Sequence, residues 1–417
     1  MKPFSSHASA YRGIFEQYVE QASFLWMLRS IAVNQPHYAS DDIAVLERRI
    51  DAQLDGLMTS IDQAWEICQE ALEIGEPGEV FTAAVIAFRS HDNVKIQKSL
   101  EAGLHNDDTF KALVSVMGWL PGRLVSPWIK KFLASKDLDH KYLALAACSV
   151  RRENPAEILN QILDRDDCKD HEKLYARALR LIGELKRQDL KPVLREAAES
   201  DNENIQFWSN WSAILLGDHS AAEKMEAYIF DDGVHQEKAI NISFRVLPLE
   251  QARNWITRLV DNKEQIRSAV KATGILGDPH AVSWLINIMQ DRSTAKLCAE
   301  AFSLITGIDL AKSELTLENP GDVTMHPNEN VEDDDVSLDE DENIPWPDVD
   351  KISEMWINKG KEFISGQRYF MGNPISPENL RYYLDSGYQR QRRAAALELA
   401  LTDPAMPLAN TSTKVTI

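Results

Sequence analysis

Few residues in this 417-residue chain stand at spacings that chemistry requires. Asp166-Asp-Cys168-Lys-Asp-His171 contains a Cys-x-x-His pair, half of a zinc site. A closed zinc site takes four ligands and no second Cys/His pair is recognisable, so the stretch reads as a loop preceding a helix. Glu184-Leu-Lys186 is a Glu-x-Lys triplet of the kind in which carboxylates hold a nuclease metal and lysine stabilises charge. It falls at a helix C-terminus without a strand or an upstream Asp partner, and is expected to be ordinary helix-end charge. The run Glu332-Asp-Asp-Asp335 could collect calcium, yet the glycine and terminal glutamate of an EF-hand loop are missing. The ten histidines form no metal-protease signature, and neither a Walker loop nor a dinucleotide glycine pattern occurs. No catalytic residue, metal or cofactor is expected, and the chain reads as a non-enzyme.

Contact chemistry offers more. Phe207-Trp208 and Trp211, followed by Ile214 and Leu215, concentrate aromatics on one helix. Core packing is the plain reading, but an exposed indole would make Trp208 or Trp211 a binding anchor, since Trp dominates interface hot spots. Arg390, Arg392 and Arg393 stand together beside an apolar stretch and would suit an acidic partner if they are not a solvated face. Glu332, Asp333, Asp334 and Asp335 would suit a basic one.

The elements that must position these residues are helices. From about Phe81 to Leu310 a helix-turn-helix unit recurs, clearest in Ile266–Leu276, the corner Gly277-Asp-Pro-His280, and Ala281–Met289. Corners align on Gly118, Ser149, Gly183, Gly217 and Gly277, with separations of 31, 34, 34 and 60, the last being two units around a degenerate midpoint at Leu247. Asn154-Pro155 and Asp278-Pro279 place a capping side chain before a first-turn proline, and Asp189 precedes Pro192 in the same way. Such a unit cannot bury its apolar face alone, so neighbours must stack. The pattern predicts an all-α, HEAT-like solenoid: residues 1–80 an N-terminal helical cap, 81–312 the repeats, 313–350 an acidic disordered linker, and 351–417 a small C-terminal helical module. In the cap, Ser40-Asp-Asp42 offers N-caps and the Glu47-Arg-Arg49 face is expected to be solvated.

Charge is unevenly spread. Ser313 to Asp350 holds fourteen acidic residues and no Lys or Arg, so this tract supplies most of the net charge of -20. Neutralising Asp333, Asp334, Asp335, Asp339, Glu340, Asp341 and Glu342 together is expected to leave stability almost unchanged. From Lys351 to Arg393 there are eight basic and four acidic residues, so this stretch could dock on the acidic tract or an acidic partner. An acidic protein is a poor match for phosphate backbones, and a basic protein partner is expected rather than nucleic acid. No apolar run is long enough to span a bilayer and the start has no signal-like core, which predicts a soluble, cytoplasmic chain. Cys68, Cys148, Cys168 and Cys298 form no Cys-x-x-Cys pair and are expected to be buried, reduced thiols.

Five stretches together resemble an uncharacterised proteobacterial family with HEAT-like repeats: Glu20-Gln-Ala-Ser-Phe-Leu-Trp26, Asp51-Ala-Gln-Leu-Asp-Gly-Leu57, Gly78-Glu-Val-Phe-Thr-Ala-Ala84, Gly366-Gln-Arg-Tyr-Phe-Met-Gly372 and Gln389–Ala400. The family brings no catalytic residues to carry over. Its members are often encoded near type VI secretion genes and effectors, which implies an immunity protein that neutralises a toxic, basic effector domain such as a nuclease. The alternative is an effector-loading adaptor or assembly scaffold of the secretion system.

Overall fold

The computed structural model describes residues 5–317 and 340–415; of residues 5–11 only the backbone is considered. The fold is all-α, with one two-stranded hairpin among the described residues. No helix among them is long and apolar enough to cross a membrane. The chain divides into two compact units. Unit 1 takes the described residues up to Asn34, then Tyr38–Ser212 and those from Pro407, while unit 2 takes Gln35–His37 and Ala213–Met406.

Unit 1 opens with α1 (Ser5–Ala32), α2 (Ser40–Leu57), α3 (Ile61–Leu72) and α4 (Pro77–Ser90). It continues with α5 (Asn93–Gly103), α6 (Asp107–Trp119), α7 (Gly122–Leu133), α8 (Leu138–Arg151), α9 (Glu157–Asp164) and the single turn α10 (Asp166–Lys169). Then follow α11 (Glu172–Glu184), α12 (Lys191–Ala197) and α13 (Glu203–Leu215), the last passing into unit 2. Alternate helices stack, α4 on α6, α6 on α8 and α8 on α11; α5 lies against both α4 and α6, α7 against α8, and α9 and α10 against α11. The alignment corners explain how. Gly183 lets α13 approach, because a Cβ there would stand 2.7 Å from Ser212 Oγ and 2.8 Å from its Cα. Ser212 Oγ in turn donates to the Leu179 carbonyl at 2.7 Å. Caps begin the helices: Asp92, Asn106 and Asp137 each accept from backbone N–H groups of α5, α6 and α8. At α2, of the expected Ser40-Asp-Asp42, it is Asp42 that acts, reaching back to accept from the Ala39 N–H at 2.9 Å.

Unit 2 contains α14 (Glu226–Phe230), α15 (Gln236–Ser243), α16 (Leu249–Asp261), α17 (Ile266–Leu276), α18 (Val282–Ile288) and α19 (Arg292–Thr306). After the undescribed stretch come α20 (Val349–Lys359), β1 (Tyr369–Phe370), β2 (Asn373–Pro374), α21 (Pro377–Ser386) and α22 (Gln389–Thr402). Residues 351–406 are not a module of their own. Ile352 and Tyr369 share one buried cluster with Val270, Leu285 and Phe302 of α17–α19, so their apolar side chains complete the core those helices leave open.

The hairpin shows why Gly366–Gly372 has its composition. Helices end with unsatisfied carbonyls, and here Tyr369 N–H donates to Gly277 O at 2.7 Å, Met371 N–H to Leu304 O at 2.6 Å and Gly372 N–H to Ile305 O at 3.0 Å. Gly277 and Gly307 end α17 and α19 in the left-handed region, with φ of 73° and 70°. Any Cβ at either would overlap a carbonyl of the hairpin, Tyr369 O or Met371 O.

The tract expected to be a disordered linker is packed at both described ends. Thr316 bridges Pro347 and Leu315 is buried, as is Ile344. Glu340 pairs with Lys271 at 2.5 Å and with Arg267 at 2.9 Å, and Asp341 is buried beside Arg267. Burial pushes the Glu340 carboxyl up, but the Lys271 and Arg267 charges outweigh it and hold the group below its ordinary value. The physical reason is that like-charge repulsion no longer extends these residues once cations of α17 neutralise them.

Candidate functional site

Both charged residues of the Glu-x-Lys triplet are buried. Glu184 points inward at the end of α11 and is completely buried, whereas Lys186 takes a left-handed turn with φ of 58°. Around the carboxylate stand Arg180 Nε at 2.9 Å, Arg152 Nη1 at 3.2 Å and the Ser149 hydroxyl, which donates at 2.5 Å. Burial alone would raise its pKa, but Arg180, Arg152 and Arg177 with Ser149 hold it down to about 2. Glu184 is therefore a structural anion that gathers Arg177 and Arg180 of α11 and Arg152 at the end of α8, in place of the ordinary helix-end charge expected. Arg180 stands one turn away on the same helix, but Ser149 and Arg152 come from the end of α8, which spacing within the triplet cannot reveal.

Trp208 and Trp211 complete the same cluster. Their rings meet edge to face at 5.4 Å, and the Arg180 guanidinium covers Trp208 at 4.6 Å and Trp211 at 5.9 Å. Trp211 is buried and Trp208 half-buried, so the pair chiefly walls the Glu184 cluster. Cys168 is buried, while His171 accepts from the Leu174 N–H at 3.2 Å as the cap of α11 and lies 3.3 Å from Asp139. Both residues of the zinc-like fragment thus serve the helix corner.

The arginines of α22 are divided. Arg390 donates to Glu300 at 2.7 Å and to the Glu340 carbonyl, which ties the basic stretch to the folded edge of the acidic tract. Arg392 donates to the Leu384 carbonyl at 2.9 Å, and Arg393 is exposed. Glu332, Asp333, Asp334 and Asp335 lie outside the described residues. The one carboxylate of this helix, Glu398, is buried with Arg245 at 2.8 Å and joined by Arg368. Arg368 also donates to Leu276 O at 2.9 Å and Arg245 O at 2.7 Å, locking the hairpin onto α17.

A site that sequence reading missed lies in unit 1, where residues 407–415 run as an irregular strap with a turn at Asn410–Thr413. Beneath it Arg29 of α1 and Glu47 of α2 form an ion pair at 2.8 Å, with side chains only 8% and 3% exposed. The Glu47-Arg-Arg49 face was expected to be solvated; Glu47 is buried because Arg29 and the strap cover it. Burial pushes the Glu47 carboxyl up, and the Arg29 charge opposes that only in part. Arg29 donates to Ser412 O at 2.8 Å, and Glu47 accepts from Val415 N–H at 2.7 Å.

Further along, Asn410 Nδ2 donates to Val150 O at 2.8 Å, Leu408 N–H to Glu184 O at 3.0 Å, and Arg152 Nε to Leu408 O at 2.5 Å. One strap side chain has a seat of its own. Lys414 Nζ lies 2.6 Å from Asp51 Oδ2 and 4.4 Å from the centre of the Trp119 ring. Trp119 is fixed there by donating to Asp51 Oδ1 at 3.1 Å and by Phe81, edge to face at 5.3 Å. A cleft of 730 Å³, lined by Arg48, Pro121 and Arg151 among others, opens on one side of Lys414, and a smaller one of 190 Å³ on the other. The sequence carried one clue: Glu47 and Asp51 are four residues apart on α2, hence on one face.

No family model, curated protein or solved structure matches the chain.

Proposed function

We propose that this chain is a non-enzymatic protein-binding scaffold, and within that class a cytoplasmic immunity protein that binds and neutralises a basic effector domain of type VI secretion. One observation carries the binding role. On α1 the residues Phe24, Met27 and Ile31 are 66%, 40% and 43% exposed, and their spacing puts them on one face, the face opposite the α1 residues buried in unit 1. A surface helix ordinarily turns polar residues to water, so a helix apolar on both sides has a second surface to cover. Glu20 stands on the same exposed face, and the net charge of -20 favours encounter with a basic partner. The proposed genomic setting rests on the family resemblance.

Two measurements test this. Tagged protein purified at low salt is expected to carry a near-stoichiometric basic protein, identified by mass spectrometry, and Phe24→Ser with Met27→Ser should release it. Coexpression with the effector encoded beside it should restore growth. Unrelieved toxicity at good expression rejects the immunity role, and copurifying secretion-tube components would assign the adaptor role instead.

A further inference from the structure

We propose that the groove beneath residues 407–415 is a receptor site for a polypeptide segment carrying a lysine or arginine, and that the strap is its resident, displaceable occupant. The inference deepens the binding role above and rests on it only for the partner's identity.

The groove has the parts of a peptide site. Two charged side chains, each more than nine-tenths buried, are aimed at main-chain groups of the strap: Arg29 at Ser412 O and Glu47 at Val415 N–H. Such grips hold main-chain groups and so do not depend on the side chains of the segment they bind. Val150 O, Glu184 O and Arg152 extend the track toward Leu408 and Asn410. Selectivity comes from the Asp51–Trp119 seat, a carboxylate beside an aromatic face, which accepts a cation and disfavours an anion.

The strap fits this track loosely. None of residues 407–415 is buried, and clefts of 730 and 190 Å³ flank Lys414. A partner segment that keeps the cation but brings larger neighbours would fill space the strap leaves empty. A basic partner is also the one that the Asp51 seat accepts.

The test uses the full chain and a fluorescein-labelled peptide of the strap's own sequence, residues 405–417. Lys414→Glu loosens the strap by setting a carboxylate against Asp51, and leaves every groove residue in place. An occupied site weakens apparent affinity by the fraction of time it is open, so the variant should bind the peptide about tenfold tighter than the unaltered chain. Adding Trp119→Ala to Lys414→Glu should abolish that gain, and a peptide with Glu in place of the lysine should not bind. Equal affinity for the unaltered and Lys414→Glu chains, or none for either, overturns the proposal. Hydrogen exchange on the unaltered chain gives an independent reading. Excess peptide should deprotect the Leu408 and Val415 amides while helix amides keep their protection, and unchanged strap protection would count against displacement. A failed displacement leaves the α1 surface and its copurification test untouched.

Discussion

Each unit receives a late stretch of chain on its helices, and the two are held in different ways. In unit 2 residues 340–374 insert Ile344, Ile352, Tyr369 and Phe370 among buried side chains, and their N–H groups satisfy helix-end carbonyls. In unit 1 residues 407–415 bring no fully buried side chain; Val415 rests partly buried on the Ala32–Leu46 cluster, and the rest is held chiefly by hydrogen bonds and a cation seat. Hydrophobic burial is additive in area and hard to reverse locally, whereas a polar contact exchanges with water at small net cost. The first attachment builds the core; the second can let go.

The largest effect should separate the two directly. Phe370, 5% exposed and packed on Leu380, Ala395 and Leu399, should cost about 3–5 kcal/mol when changed to Ala. Leu408→Ala in the strap should cost less than about 1 kcal/mol, because its anchors are main-chain groups that the substitution keeps. Urea denaturation of both variants decides the matter, and equal losses would erase the distinction.

Glu184 sharpens it from the electrostatic side. Its folded pKa lies at about 2, against an ordinary carboxylate value of 4.5. A depressed pKa means stability that is fully present above pH 4.5 and is lost as pH falls through about 2. The loss is of order 3 kcal/mol, since each tenfold change in an acid dissociation constant corresponds to about 1.4 kcal/mol. Glu184→Gln should flatten this acid limb and lower stability at neutral pH, because Arg152, Arg177 and Arg180 lose their shared anion. An acid limb unchanged in the variant would place the titrating group elsewhere.

How much of this was legible depended on whether the cause was local. Helices and corners were, and so was the cap at Asp278, which accepts from His280 N–H at 3.1 Å where Asp278-Pro279 predicted a start, whereas Asp189 pairs with Arg187 and caps no helix. Gly183 and Gly277 stood out because close approach and a left-handed turn both demand glycine. Glu47 and Glu184 show no sign of burial in the sequence, because Arg29 for the one, and Arg152 with Ser149 for the other, come from other elements. The strap has no apolar period to detect, and a two-residue strand such as Tyr369–Phe370 is too short to alternate. Trp208 and Trp211 stand out as a cluster in the sequence, but their cover, Arg180, belongs to α11.

Glycine at the hairpin offers a finer comparison within unit 2. Gly217 and Gly277 both lie in the left-handed region, with φ of 90° and 73°. A Cβ at Gly217 meets nothing within 4 Å, so Gly217→Ala should cost only the conformational penalty of about 1 kcal/mol. Gly277→Ala adds an overlap with Tyr369 O and should cost at least about 2 kcal/mol, with faster exchange at the Tyr369 amide. Equal costs would mean the hairpin shifts freely off the end of α17.

The smallest expected effect divides the acidic tract itself. Composition alone predicts that neutralising the whole run is nearly silent, but Glu340 and Asp341 contact Arg267, and Glu340 also reaches Lys271. Glu340 keeps about a third of its side chain exposed, so solvent screens these pairs. Glu340→Gln with Asp341→Asn should therefore lower stability by about 1 kcal/mol, and by less at high salt, where screening is stronger. The comparison set is Asp333→Asn, Asp334→Asn and Asp335→Asn, for which the composition argument predicts no measurable change in melting temperature. A loss confined to the first pair, shrinking with salt, would show that the tract's charge is used where it meets α17. An equal loss in both sets would assign the effect to net charge alone.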